Sequence, residues 1–350
     1  MSQRPRIYLD HAATTPILPA AKTAMVEAME RWANPSSPHA EGRAARAALE
    51  DARERIKRAL GWDGELIFTS GATEAIKIGL SAVLPDDIAV SAVEHDAVFR
   101  AASGAARIPV SRFGLVDPAE MPVRRLVAVQ AANNETGVLQ PLASIVVAVR
   151  EQGGLFFCDC AQTAGKLPLP DADLICAASH KLGGPPGVGA LLIRDLARLN
   201  ARGGQERGYR GGTQNLPGIL GFAAALEARE PWLDLSRRLR QWLERRLAAA
   251  GAQIVGEDAL RIPTIGAYRM PGVSAEAQLI HFDLAGIAVS AGSACSSGTM
   301  KASHVLAAMG WEAQAAREVV RVSFGPQTSE AEVAAFAAAW EQLAERKRAA

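Results

Sequence analysis

From about residue 65 the chain alternates short, nearly continuous apolar runs with stretches of helical period. The runs are ELIFTS (65–70), IAVSAV (88–93), LVAVQAA (126–132), LFFCDCA (155–161), LICAAS (174–179) and GALLIR (189–194). Unbroken apolarity of this kind is how a strand reads when both of its faces are covered. Helical patterns fall between several of them, including 72–84 and 141–152. The alternation predicts an α/β domain built on a mostly parallel sheet. A long amphipathic stretch, about 217–250, separates it from a second region with strands near 264–270, 287–290 and 319–324. That region closes in a helix, opened by Ser329 and Glu332 at capping-box spacing. No internal repeat is visible, and the alanine-rich tail reads as plain helix-forming sequence.

With 350 residues, 49% hydrophobic and 21% charged, the chain can fill two ordinary domains. The net charge of +1 leaves no excess of basic residues to displace phosphate counterions, which argues against nucleic acid as a partner. The arginines at 237, 238, 240, 245 and 246 read as a solvated helix face. No apolar run has the length of a signal peptide core or of a membrane span, so a cytoplasmic protein with no membrane partner is expected. Four cysteines without paired spacing make no disulfide framework. Cys158, Cys160 and Cys176 lie in apolar runs and read as small buried hydrophobes. No metal site is expected, because the C-x-C at 158–160 is a poor zinc pattern.

Ligands in open α/β sheets bind beyond the carboxyl ends of the strands, so those ends carry the chemistry. After the first run, Gly71, Ala72 and Thr73 open a helix whose N–H groups suit a phosphate, although glycine and threonine there also serve as an ordinary cap. His95 follows the second run, where a cap or a surface residue is the commoner role. Asn133, Asn134, Glu135 and Thr136 follow the third, as a turn or a site. Asp159 ends the fourth in apolar surroundings, where a carboxylate needs a cation or a protonated ring nitrogen. Gln162 is three residues on. His180 and Lys181 end the fifth; a lysine in a strand-end pocket has its pKa lowered, unless it snorkels to solvent. Taken together, Thr73, Asp159, His95 and Lys181 match the needs of pyridoxal phosphate. These are a phosphate cup, an acid for the pyridinium nitrogen, a ring over the face and a lysine for the aldehyde.

Ten segments in order carry a resemblance. They are YLDHAATTP, NPSSPHAEG, FTSGATEA, EHDAV, NNETG, CDCAQTAGKLP, SHKLGGPPGVG, GGQERGYRGGT, SAGSACSSG and RVSFG. The chain resembles the cysteine desulfurases of the NifS/IscS kind, fold-type I pyridoxal-phosphate enzymes of the class V aminotransferase group. The resemblance implies a large domain with a mostly parallel seven-stranded sheet (14–234) and a smaller α+β domain (1–13 and 235–350). It implies that Lys181 holds the cofactor as a Schiff base, Asp159 faces the pyridine nitrogen, His95 stacks on the ring and moves protons, and Gln162 bonds the phenolic oxygen. Asn134 would lie near cofactor and substrate. Ala72, Thr73, His180 and the displaced hydroxyl of Ser179 would hold the phosphate, with Thr213 reaching in from the second subunit of a homodimer. Arg321, and secondarily Asn34, would bind the substrate carboxylate.

Cys295, in a glycine- and serine-rich loop, would take sulfur from L-cysteine as a persulfide, releasing L-alanine. A sulfur-acceptor protein would follow, such as an iron–sulfur scaffold or a sulfur carrier for thiolation. The competing readings are a related lyase or aminotransferase, for example one acting on selenocysteine, and a catalytically weak sulfur-relay subunit. The chain departs from the family pattern at Ala178-Ser179, at Pro186 and at Gly211, and it stops at Ala350 without the extension of longer members.

Overall fold

A computed structural model describes residues 6–31, 33–82, 87–201, 203–228, 231–292 and 303–349. Cys295 lies outside the described residues. A two-residue strand, β1 (Ile7–Tyr8), comes first. Seven strands then build the main sheet: β2 (Glu65–Thr69), β3 (Ile88–Ser91), β4 (Ala106–Ile108), β5 (Leu126–Ala128), β6 (Leu155–Asp159), β7 (Leu174–Ala178) and β8 (Gly189–Ile193). Their order is β2-β8-β7-β6-β5-β3-β4. Only β8 is reversed, pairing antiparallel with β2 and with β7. All six apolar runs form strands. The edge strand β4 escapes the pattern because it is three residues long and exposes Arg107.

Alternate residues feed opposite faces of the sheet, as the period of two demands. Phe156 and Cys158 join a core under the helices Ala40–Leu60 and Leu216–Glu227. Phe157 and Cys176 join a separate core under the helix Ala72–Leu80. Both faces are therefore buried, and the strand ends are left as the place where polar side chains can meet a ligand.

The C-terminal third holds β9 (Gln253–Ile254), β10 (Ile265–Arg269), β11 (Ile287–Ala288) and β12 (Val319–Ser323). β12, β10 and β9 form an antiparallel sheet, and β11 pairs in parallel with β1. Their core contains Tyr268, Phe282, Phe336 and Trp340 together with Leu9 from the N-terminal segment. The final helix, Glu330–Ala349, starts with the anticipated capping box: Ser329 N–H donates to Glu332 Oε2 (2.8 Å) and Glu332 N–H to Ser329 Oγ (3.3 Å). Residues 10–15 then cross to the main sheet, where Thr15 N–H donates to His180 O at 2.8 Å. Among the described residues no helix is long and apolar enough to cross a membrane.

Candidate active site

The strand ends converge on one cavity of about 650 Å³, lined among others by Ala72, Thr73, His95, Asn134, Asp159, Gln162, His180, Lys181 and Arg321. Lys181 arrives on a single helical turn directly after β7. Its Nζ donates to Ala12 O (2.6 Å) and Ala13 O (2.8 Å), so the crossing N-terminal segment forms the floor beneath it. Burial pushes its pKa down to about 8; the Arg321 cation acts in the same direction, against Asp10 and Asp159. Such an amine is partly neutral near physiological pH, as a nucleophile or a base requires.

Asp159 closes β6 and is buried, with Oδ1 accepting from Ala161 N–H at 2.8 Å. His95 caps the helix Asp96–Ala101: its Nδ1 accepts from Ala97 N–H at 3.1 Å. That bond places the proton of the neutral ring on Nε2. Burial lowers the His95 pKa, so the ring is held neutral at physiological pH. His180 Nδ1 meets Thr14 Oγ1 at 3.2 Å, and burial, reinforced by Lys181 and Lys166, takes its pKa down to about 4.

The phosphate end is built by backbone. Gly71, with φ 153° and ψ 177°, turns the chain from β2 into the helix Ala72–Leu80. Only glycine takes that conformation readily, and the turn brings the first residues of the helix to the cavity wall. At the other end, Arg321 donates from Nη2 to Asp10 Oδ1 (2.7 Å) and from Nη1 to Asn134 O (3.0 Å), while its Nε is buried without a partner. Gln162 Nε2 donates to Ala12 O at 3.0 Å, leaving its Oε1 buried and unpaired. Both groups belong to residues that line the cavity and keep unused hydrogen-bonding capacity.

A family model described as aminotransferase class-V matches residues 7–336. The chain belongs to that family. Within it, the chain is 35% identical over 363 residues to a cysteine desulfurase of Gluconacetobacter diazotrophicus, covering 93% of this chain and 90% of the relative. A NifS-like protein from Rickettsia africae superposes with a TM-score of 0.89 at 31% identity, covering 97% of this chain and 99% of that one. SspA, solved in complex with cysteine, superposes with a TM-score of 0.78 at 28% identity over 92% of this chain and 99% of that one. The chain is thus a class-V enzyme of the desulfurase branch, with the fold-type I architecture that the resemblance implied.

Enzymes of this family are generally pyridoxal-phosphate-dependent, and the donor set fits that cofactor. A lysine amine, a buried carboxylate, a neutral imidazole and an open helix N-terminus border one volume.

Two of the family-derived residues, Asn34 and Ser179, are not brought to this cavity. Asn34 is exposed, and its Oδ1 accepts from Ser36 N–H at 2.9 Å, which makes it a turn residue. Thr213, expected to serve the site of a second copy, is exposed and outside the lining of its own chain's cavity. Ser179 is wholly buried, its Oγ unpaired; a Cβ on Gly184 would sit 2.0 Å from that oxygen. The shift of the hydroxyl by one residue therefore points it at Gly184 and away from the cavity lining, where Ala178 stands instead. Asp10 and His304 are among the lining residues that were missed. Asp10 ends the first apolar run, IYL, and the strand-end rule applied there would have found it. His304, whose Nε2 lies 2.9 Å from Glu94 O, had no pattern to reveal it.

Proposed function

We propose that the chain is an active cysteine desulfurase that binds pyridoxal phosphate on Lys181 and converts L-cysteine to L-alanine. The observation that carries this reading is the meeting of Lys181, Asp159, His95 and Arg321 around one cavity, with the lysine amine tuned to about 8. Bound there, the cofactor supplies an electron sink for negative charge at the substrate Cα. Asp159 would hold the ring nitrogen, Gln162 the ring oxygen, and the helix beginning at Ala72 and Thr73, with His180, the phosphate.

Arg321 exchanges part of its contact with Asp10 for the substrate carboxylate, and Asn134 borders the same end. Lys181 takes the Cα proton, and His95 delivers protons through Nε2. Cys295 receives the sulfur. The Cys295 thiolate attacks the substrate sulfur, the Cβ–S bond breaks as the S–S bond forms, the electron pair stays on Cβ, and a proton added at Cβ together with one returned to Cα completes alanine. The persulfide then feeds an acceptor protein for iron–sulfur assembly or thiolation, in a homodimer to which Thr213 of the second copy contributes, in the cytoplasm.

The test is to purify the coloured protein and to measure alanine and sulfide from L-cysteine with a reductant. Lys181→Ala is expected to lose the visible band, and Cys295→Ala to lose sulfide release while keeping the band. An unchanged band in Lys181→Ala, or full-rate sulfide release by Cys295→Ala, overturns the reading. Turnover of selenocysteine alone would instead identify a lyase.

A further inference from the structure

Sequence pattern casts Cys176 as filler in a buried strand, and it is indeed wholly buried. Its neighbours give it more to do. On β7 it is the cross-strand partner of Asp159 on β6. Its Sγ lies 3.2 Å from Asp159 Oδ1, the oxygen that also accepts from Ala161 N–H at 2.8 Å. No described residue hydrogen-bonds Oδ2. Burial and the adjacent carboxylate raise the Cys176 pKa well above that of a free thiol. The sulfur therefore keeps its proton, and toward Asp159 it acts only as a donor. Cys158 and Cys160 lie 3.7 Å apart in the core on the other face of the sheet, with no contact to the carboxylate.

We propose that Cys176 is a positioning residue for Asp159: its S–H, with the Ala161 N–H, occupies Oδ1 and leaves Oδ2 as the edge the carboxylate offers to the cofactor. The inference rests on the cofactor reading above. Two donors on one oxygen fix the rotation of the carboxylate. Removing the thiol donor frees the carboxylate to rotate, so that Oδ2 no longer stays aimed at the ring nitrogen and the electron sink weakens. The step that suffers is loss of the Cα proton, not substrate binding. A serine at this position would keep the donor, whereas alanine or valine would remove it.

The experiment has two arms. In the cofactor-free protein, the infrared S–H stretch assigned by the difference between wild type and Cys176→Ser should be shifted to low frequency, as for a hydrogen-bonded thiol, and should move back in Asp159→Asn. In the holoenzyme, Cys176→Ala and Cys176→Val should lose roughly three- to tenfold in kcat, the order expected for one weak donor to a charged acceptor. KM for cysteine should hold, the pH titration of the visible band should shift, and Cys176→Ser should restore both. Valine keeps the site filled should the alanine cavity impair folding. An unshifted S–H band, or a serine variant as impaired as alanine, overturns the assignment. If wild type shows the shifted S–H band but forms no coloured holoenzyme, the cofactor reading fails, and the role of Cys176 in serving it fails too.

Discussion

At pH 7.5 an ordinary lysine with a pKa near 10.5 is about one part in a thousand neutral. Lys181, at about 8, is neutral in roughly one molecule in four, a gain of about two hundredfold in reactive amine. Burial is the main cause and the Arg321 cation the next. The two carbonyls that receive its hydrogen bonds, Ala12 O and Ala13 O, can still be served by the two N–H bonds of the neutral amine. Competitive labelling with trace acetic anhydride, on protein stripped of cofactor and with free Nα-acetyl-lysine as internal standard, reads the titration directly. The Lys181 peptide should label with a midpoint near 8, and the rate of pyridoxal phosphate capture should rise over the same interval. Arg321→Gln should move the midpoint up. It removes the cation that depresses the amine, and it frees Asp10, whose charge pulls the other way. A midpoint near 10.5 in wild type, or a downward shift in Arg321→Gln, would refute the reasoning.

The Glu206 carboxylate is buried and accepts from Arg53 Nη1 (2.8 Å) and Nη2 (3.2 Å), from Phe68 N–H (2.9 Å) and from Gln214 Nε2 (2.9 Å). Glu206→Ala strands the buried Phe68 N–H and leaves Arg53 with only Glu50 and Leu66 O, and should cost about 1–3 kcal/mol, read as a lower urea midpoint. The loss should be smaller in the double variant Arg53→Met/Glu206→Leu, which removes both charges. Arg321→Lys keeps a positive charge but not the fork held by Asp10 and Asn134 O; KM for cysteine should rise by about tenfold with the visible band unchanged. Ser329→Ala removes one side of the capping box on the last helix and should lower stability by about 1 kcal/mol in urea unfolding, with kcat unaffected.

The main sheet was legible because β2, β3, β5, β6, β7 and β8 are buried on both faces, and burial on both faces leaves an unbroken apolar record. The reversal of β8 left none: strand direction is set by how the connections close, and the run GALLIR reads the same either way. β4 was lost for the opposite reason, since a short edge strand needs little apolar sequence. The strand-end rule then located most of the cavity, because it ties polar residues to the one place where a doubly covered sheet can present them. It could not say which way a side chain turns there. Ser179 and His180 are adjacent on one helical turn, yet one hydroxyl faces Gly184 in the interior while the imidazole reaches the cavity.

His95 shows why weighing a structural role against a functional one can mislead. A histidine just past a strand is most often a cap, and this one is a cap, accepting Ala97 N–H through Nδ1. The capping bond is also what prepares it for chemistry. It consumes the nitrogen that would otherwise be free to take either tautomer, leaves the N–H on Nε2, and anchors the ring at the start of the helix. Burial then keeps the ring neutral. A substitution that preserves the cap but not the ring, His95→Asn, separates the two contributions: the Asp96–Ala101 helix should keep its start and the protein its urea midpoint, while kcat falls. If stability and kcat fell together by the same fraction, the cap alone would account for the residue, and the proton path through Nε2 would have no support.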